Sequence, residues 1–124
     1  FMNVVYFGSD TIKDFQAKPG SAEVAAQCMD FTAEVIQNIF RPKCVVCFSI
    51  NDCFRPLERR FGFTQVETIT PPIVNGEPAR HQVVKGLWNG LPVFGIPHPS
   101  GRISNDDWGA IVMYLKNEMI KLNI

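Results

Sequence analysis

Hydrophobic side chains follow two different periods along this chain, and each change of period marks an element. Met2 to Phe7 is a short run of β-forming residues closed by the turn cluster Gly8-Ser9-Asp10, which predicts a first strand. After a polar loop containing Pro19-Gly20, Ser21 can cap a helix whose apolar positions, from Val24, Ala25 and Cys28 through Phe31 and Thr32 to Val35, Ile36 and Ile39, recur at helical spacing. Pro42 ends it. Lys43 to Ile50 is an almost unbroken apolar run with β-branched members, the pattern of a strand buried on both faces. Asn51 or Asp52 can cap a short helix through Phe61, with Pro56 early enough to be tolerated or to kink it.

The second half is more sharply punctuated. Val66, Thr68 and Ile69 outline a weaker strand between Phe63 and Pro72, followed by the turn Asn75-Gly76. His81 to Trp88 and Leu91 to Ile96 flank Asn89-Gly90, a two-residue hairpin signal. Ser104, with Asp107 three residues on, resembles a capping box for a last helix whose inner face runs Trp108, Ile111, Val112, Leu115, Met119, Leu122. Asp106 and Asp107 suit the positive start of that helix, and Lys116 and Lys121 its end. Strands alternating with helices predict an α/β fold: three αβα layers around a mainly parallel central sheet, with a hairpin and helix at the C-terminal end. In such sheets ligands bind beyond the C-terminal ends of the strands.

Composition narrows this picture. The 124 residues are 46% hydrophobic, enough for one compact domain over 1–124 and too few for a second. Twelve basic and twelve acidic side chains give zero net charge, so nucleic-acid binding would rest on a local patch rather than on the whole-protein field. No apolar run approaches the roughly 20 residues of a membrane span and nothing reads as a signal peptide, so the expectation is a soluble, cytoplasmic protein with no membrane partner. Cys28, Cys44, Cys47 and Cys53 read as reduced, buried thiols; a strand through Cys44 and Cys47 would turn the two to opposite faces, which argues against a zinc clamp or a redox pair. No metal site is expected. The chain begins at Phe1, already in a strand, and so reads as the C-terminal portion of a longer domain.

The candidate chemistry lies between Gly95 and Ser104. Pro97 and Pro99 stiffen a turn around His98, just past the end of a buried strand, and histidine is the side chain best suited to donate a hydrogen bond or proton near neutral pH. Ser100, Gly101, Arg102 and Ser104 follow at a helix start, where backbone N–H groups and a guanidinium can converge on a phosphate. Asn3, among apolar neighbours, offers a donor and an acceptor side by side. Arg55, Arg59 and Arg60 read as a solvated helix face, and His81 as a strand-start residue without a functional role.

The run GIPHPSGRIS before an amphipathic helix resembles the second signature motif of the uracil-DNA glycosylase superfamily, a His-Pro-Ser turn after the last strand. PKCVVCFSIND is similar to that superfamily's middle strand, and FMNVVYF to its asparagine-bearing strand, so the resemblance covers most of the chain in the right order. It implies that His98 donates a hydrogen bond to the uracil O2 as charge develops on the leaving base, and that Asn3 reads the edge of the flipped base. It implies further that Arg102 takes the place of the wedge that fills the emptied stack and that Ser100 meets DNA phosphate. The superfamily's first motif, a Gly-rich strand end bearing the aspartate or asparagine that positions water, has no match here. The resemblance then implies an upstream portion, or a homodimer in which a second chain completes the sheet. An iron–sulfur cluster, held in some branches by four cysteines, has only the loosely matching pair Cys28 and Cys44, so no cofactor is expected. The function expected on this basis is a DNA-repair hydrolase that flips uracil or a related base out of DNA and cleaves its N-glycosidic bond. The alternatives are a non-catalytic nucleic-acid or nucleotide binder of the same fold, and an unrelated small-molecule binder or hydrolase.

Overall fold

A computed structural model describes residues 12–72 and 79–124, and the chain divides after Pro42 into two compact units. The strand expected at Met2–Phe7 with Asn3, and the Asn75-Gly76 turn, lie outside the described residues. In the first unit, helix α1 (Ile12–Ala17) leads through a tight turn to α2 (Ser21–Glu34), which widens into a π-helical segment, Val35–Phe40. Gly20, at φ 76°, takes the N-cap position, because the turn demands a left-handed residue there. Ser21 is therefore the first helical residue, and its hydroxyl donates to the Gln16 carbonyl (3.1 Å) instead of capping. Arg41, at φ 46°, closes the segment by donating its N–H to the Ile36 carbonyl (2.9 Å) immediately before Pro42. Cys28, Thr32 and Ile36 are buried, as the periodicity predicts, whereas Phe31 and Ile39 are exposed. The extra residue in a π turn shifts the helical phase of positions beyond it, Ile39 included.

The second unit is a four-stranded sheet in the order β1-β4-β3-β2, where β1 is Val45–Phe48, β2 Thr64–Ile69, β3 Val83–Trp88 and β4 Leu91–Ile96. Its helices are α3 (Arg55–Phe61), reached through a π-helical turn over Ile50–Phe54, and α4 (Asn105–Lys121). The chain is thus α/β, but the sheet is not mainly parallel: β1 runs parallel to β4, while β3 is antiparallel to both β4 and β2. The reason is local. Asn89 and Gly90 both have positive φ (49° and 84°), the geometry of a tight two-residue hairpin, which returns the chain antiparallel. The strand expected from Lys43 to Ile50 is only four residues long, because Ser49 turns at φ 98° and the next residues coil into the π turn.

The register sorts the sheet into two faces. Cys47, Gly95, Val84 and Gly86 share one face, and there Phe54, fully buried, lies against glycine backbone: a Cβ on Gly95 would stand 2.9 Å from the Phe54 Cβ. Phe54 meets Phe63 edge-on (5.3 Å between ring centroids), and Phe63 and Phe61 flank Trp88 at 5.5 and 4.9 Å. On the opposite face Val83 and Ile96 pack with Ile111 of α4, supported by Val46, Phe48, Trp108, Tyr114 and Leu115. Val112, placed by periodicity on the inner face of α4, is 57% exposed; Ala110 and Asp107 are buried instead. No described helix is long and apolar enough to cross a membrane.

Two substitutions test this packing. Gly95→Ala, which drives a methyl into Phe54, should lower unfolding stability by about 1–3 kcal/mol in urea titration. Tyr114→Phe should hold or raise stability, by up to about 1 kcal/mol, because the buried Tyr114 hydroxyl has no hydrogen-bond partner among the described residues.

Candidate functional site

Beyond the C-terminal ends of the parallel pair β1 and β4 lies a cleft of about 440 Å³. Ser49, Ile50 and Asn51 enter it from the end of β1, Pro97 and His98 from the end of β4, Ala79 to Gln82 from the segment before β3, and Thr70 from the end of β2. The parallel pairing continues into its wall, since the Ser49 N–H donates to the Ile96 carbonyl (2.9 Å). Ser49 holds φ 98°, a backbone region that L-residues rarely occupy. Two hydrogen bonds define that turn: the Ser49 side chain accepts from the Asp52 N–H (3.1 Å), and its carbonyl accepts from the Phe54 N–H (3.2 Å). Ser49, and not Asn51 or Asp52, is therefore the cap. Strained non-glycine residues cluster at functional sites, which adds weight to this cleft as the site.

His98 sits where the sequence places it, on an exposed turn directly after β4. The backbone N–H of Ser100 donates to His98 Nδ1 (3.1 Å), and the Ser100 hydroxyl lies 2.7 Å from the same nitrogen. A nitrogen that accepts an N–H carries no proton of its own, so the neutral ring bears its hydrogen on Nε2. Gly101 closes the turn with its N–H on the His98 carbonyl (2.9 Å), and a Cβ there would come within 3.1 Å of that oxygen. Arg102 is exposed. Ser104 is the N-cap of α4, its hydroxyl accepting from the Asp107 N–H (3.2 Å), so that side chain is already engaged within the protein.

Asp107 departs from a simple capping box. Its carboxylate turns away from the helix start and accepts from the Arg80 N–H (3.1 Å) and from Nδ1 of His81 (2.9 Å). Asp107 is only 3% exposed, and the hydrogen bond from His81, with the Arg80 N–H beside it, holds its carboxyl below the usual carboxylate range. His81, which the sequence reading leaves without a role, is thus brought into the cleft that His98 lines. One signal was present in the sequence: His81 lies eight residues before Asn89, and His98 eight residues after Gly90. The observed register, Trp88 opposite Leu91 and Val84 opposite Gly95, brings the segment before β3 and the segment after β4 to the same end of the sheet.

Cys47, on the Phe54 face of the sheet, shares a thiol hydrogen bond with Cys53; that bond and burial push the Cys47 thiol up, and the same bond draws Cys53 down. All four cysteines are free thiols, with Cys28 buried in α2 and Cys44 just before β1. Among the described residues no three His, Cys, Asp or Glu side chains gather as a metal site would require.

The lowered Asp107 pKa has a stability consequence of definite sign. Its stabilisation is fully present above the unfolded-state carboxyl pKa, about 3.9, and is lost as pH falls through the lower folded value. Melting temperature should therefore fall below about pH 4, and less steeply in Asp107→Asn, as thermal denaturation followed by circular dichroism would show. The chain matches no protein-family model, and comparison with curated proteins and with solved structures finds no match either.

Proposed function

We propose that this chain is a DNA glycosylase of the uracil-DNA glycosylase type, which receives a flipped uracil or related base in the cleft and hydrolyses its N-glycosidic bond. The observation that carries this reading is the hydrogen bond that the Ser100 backbone N–H donates to Nδ1 of His98. With Nδ1 occupied by the Ser100 N–H, the ring offers a neutral Nε2–H donor beside a cleft at the strand C-termini. Breaking an N-glycosidic bond leaves negative charge on the departing base, and a fixed donor aimed at its carbonyl oxygen lowers that barrier. A donor held by backbone does not have to be reoriented as the charge appears.

The surroundings support the same substrate class. The cleft volume suits a nucleobase, and Asn51, Thr70 and Gln82 supply amide and hydroxyl groups for base edges. Exposed Arg102, four residues beyond His98, has the reach and charge to enter the space a flipped base leaves or to meet phosphate. Asn3, the proposed reader of the base edge, lies outside the described residues. Zero net charge makes recognition depend on the cleft more than on long-range attraction.

The test is uracil release from oligonucleotides, single-stranded and with uracil opposite guanine, by the wild-type protein and by His98→Ala. Release by the wild type should fall about 10²–10³-fold in the variant. A folded wild-type protein that releases no base, or a variant that keeps its rate, overturns the assignment. DNA affinity that falls with salt in a protein without base release would instead identify a non-catalytic binder of the same fold.

A further inference from the structure

Two histidines in one cleft are held in opposite tautomers. His98 accepts a backbone N–H at Nδ1 and so is protonated at Nε2. His81 faces the ionised Asp107 carboxylate with its Nδ1 at 2.9 Å, and a carboxylate can only accept, so the neutral ring bears its proton on Nδ1 and its lone pair on Nε2. Neither Nε2 has a hydrogen-bond partner among the described residues. The cleft therefore presents one imidazole as donor and one as acceptor.

We infer that His81 is the general base of this site, taking a proton from the water that attacks the sugar C1′, with Asp107 as its positioning residue. This assignment rests on the glycosylase reading above. In the step, the water oxygen forms a bond to C1′ while the electron pair of the C1′–N bond leaves with the base. The water proton passes to Nε2 of His81, and the imidazolium that forms is balanced by the Asp107 carboxylate. The charge on the departing base falls on the oxygen that His98 Nε2–H meets, and the proton held by His81 is then lost to solvent or to the released base. Water is the nucleophile rather than Ser49, because the Ser49 hydroxyl caps the π turn and makes no bond to His81 among the described residues.

The geometry is built rather than incidental. Asp107 is 3% exposed, locked at the first turn of α4 by its own N–H on Ser104 and further held by the Arg80 N–H. His81 keeps 37% of its side chain exposed on the cleft side of this anchor, as a group that must meet water and substrate would. Asp107→Asn preserves the shape but donates its amide N–H to Nδ1, which moves the imidazole proton to Nε2 and removes the base.

The experiment measures single-turnover uracil release by wild type, His81→Gln, Asp107→Asn and His98→Ala, together with affinity for an oligonucleotide bearing an uncleavable 2′-fluorinated deoxyuridine. His81→Gln and Asp107→Asn should each slow release about 10²–10⁴-fold while binding the uncleavable strand within about threefold of wild type. Long-range ¹⁵N–¹H spectra of the imidazoles should show an Nδ1–H tautomer for His81 in wild type and an Nε2–H tautomer in Asp107→Asn. Release that His98→Ala abolishes but His81→Gln leaves within about threefold overturns the base assignment alone and keeps the glycosylase reading. An Nε2–H tautomer at His81 in the wild type overturns the assignment regardless of rate. No release by wild type removes the glycosylase reading, and this assignment with it.

Discussion

The contact on which the second unit depends is Phe54 against bare backbone. Gly95, next to last in β4, and Gly86 in β3 leave a shallow seat on one face of the sheet, and Phe54 fills it so closely that a methyl added at Gly95 would collide. A fully buried phenyl removes a large apolar area from water, and here it does so against strands whose positions are thereby set relative to the π turn. Phe54 closes that turn, and the turn begins at Ser49 on the wall of the cleft. One aromatic side chain thus couples the packing of the core to the conformation of the site, and the strain at Ser49 is held by that packing.

A second constraint operates from the opposite face. Asp107 sits in the first turn of α4, where a carboxylate is favoured by the exposed N–H groups of the helix start. Folding turns that carboxylate toward the segment before β3, so one residue joins the end of a loop to the first turn of a helix. His81 is oriented by this anchor, and His98 by the Pro-flanked turn and the Ser100 N–H. The two imidazoles owe their opposite tautomers to these different anchors, one a carboxylate and the other a backbone donor.

Some of this is legible before folding. The hairpin at Asn89-Gly90, the β4 boundaries, the capping of α4 by Ser104 and the place of His98 past a strand end follow from local chemistry: turn residues, alternation, and a hydroxyl three residues before an N–H. The burial of Cys28, Thr32 and Ile36 likewise follows from helical period. Other features do not. Val112 reads as an inner-face residue and is exposed, because the helix presents Ala110 and Ile111 to the sheet and Asp107 to His81. A mainly parallel sheet is the natural inference from alternating strands and helices, yet the hairpin signal already required one antiparallel pair, and the β2–β3 pairing adds another.

By itself, then, the sequence determined the elements whose reasons lie within a few residues: helices by period and cap, the hairpin by its two turn residues, the stiff histidine turn by its flanking prolines. Strand order, the seat for Phe54 and the meeting of His81 with Asp107 were decided only by the tertiary structure. The seat for Phe54 and the His81–Asp107 bond join residues 26 or more positions apart, and strand order rests on the β1–β4 and β2–β3 pairings, which also lie beyond the reach of local propensity.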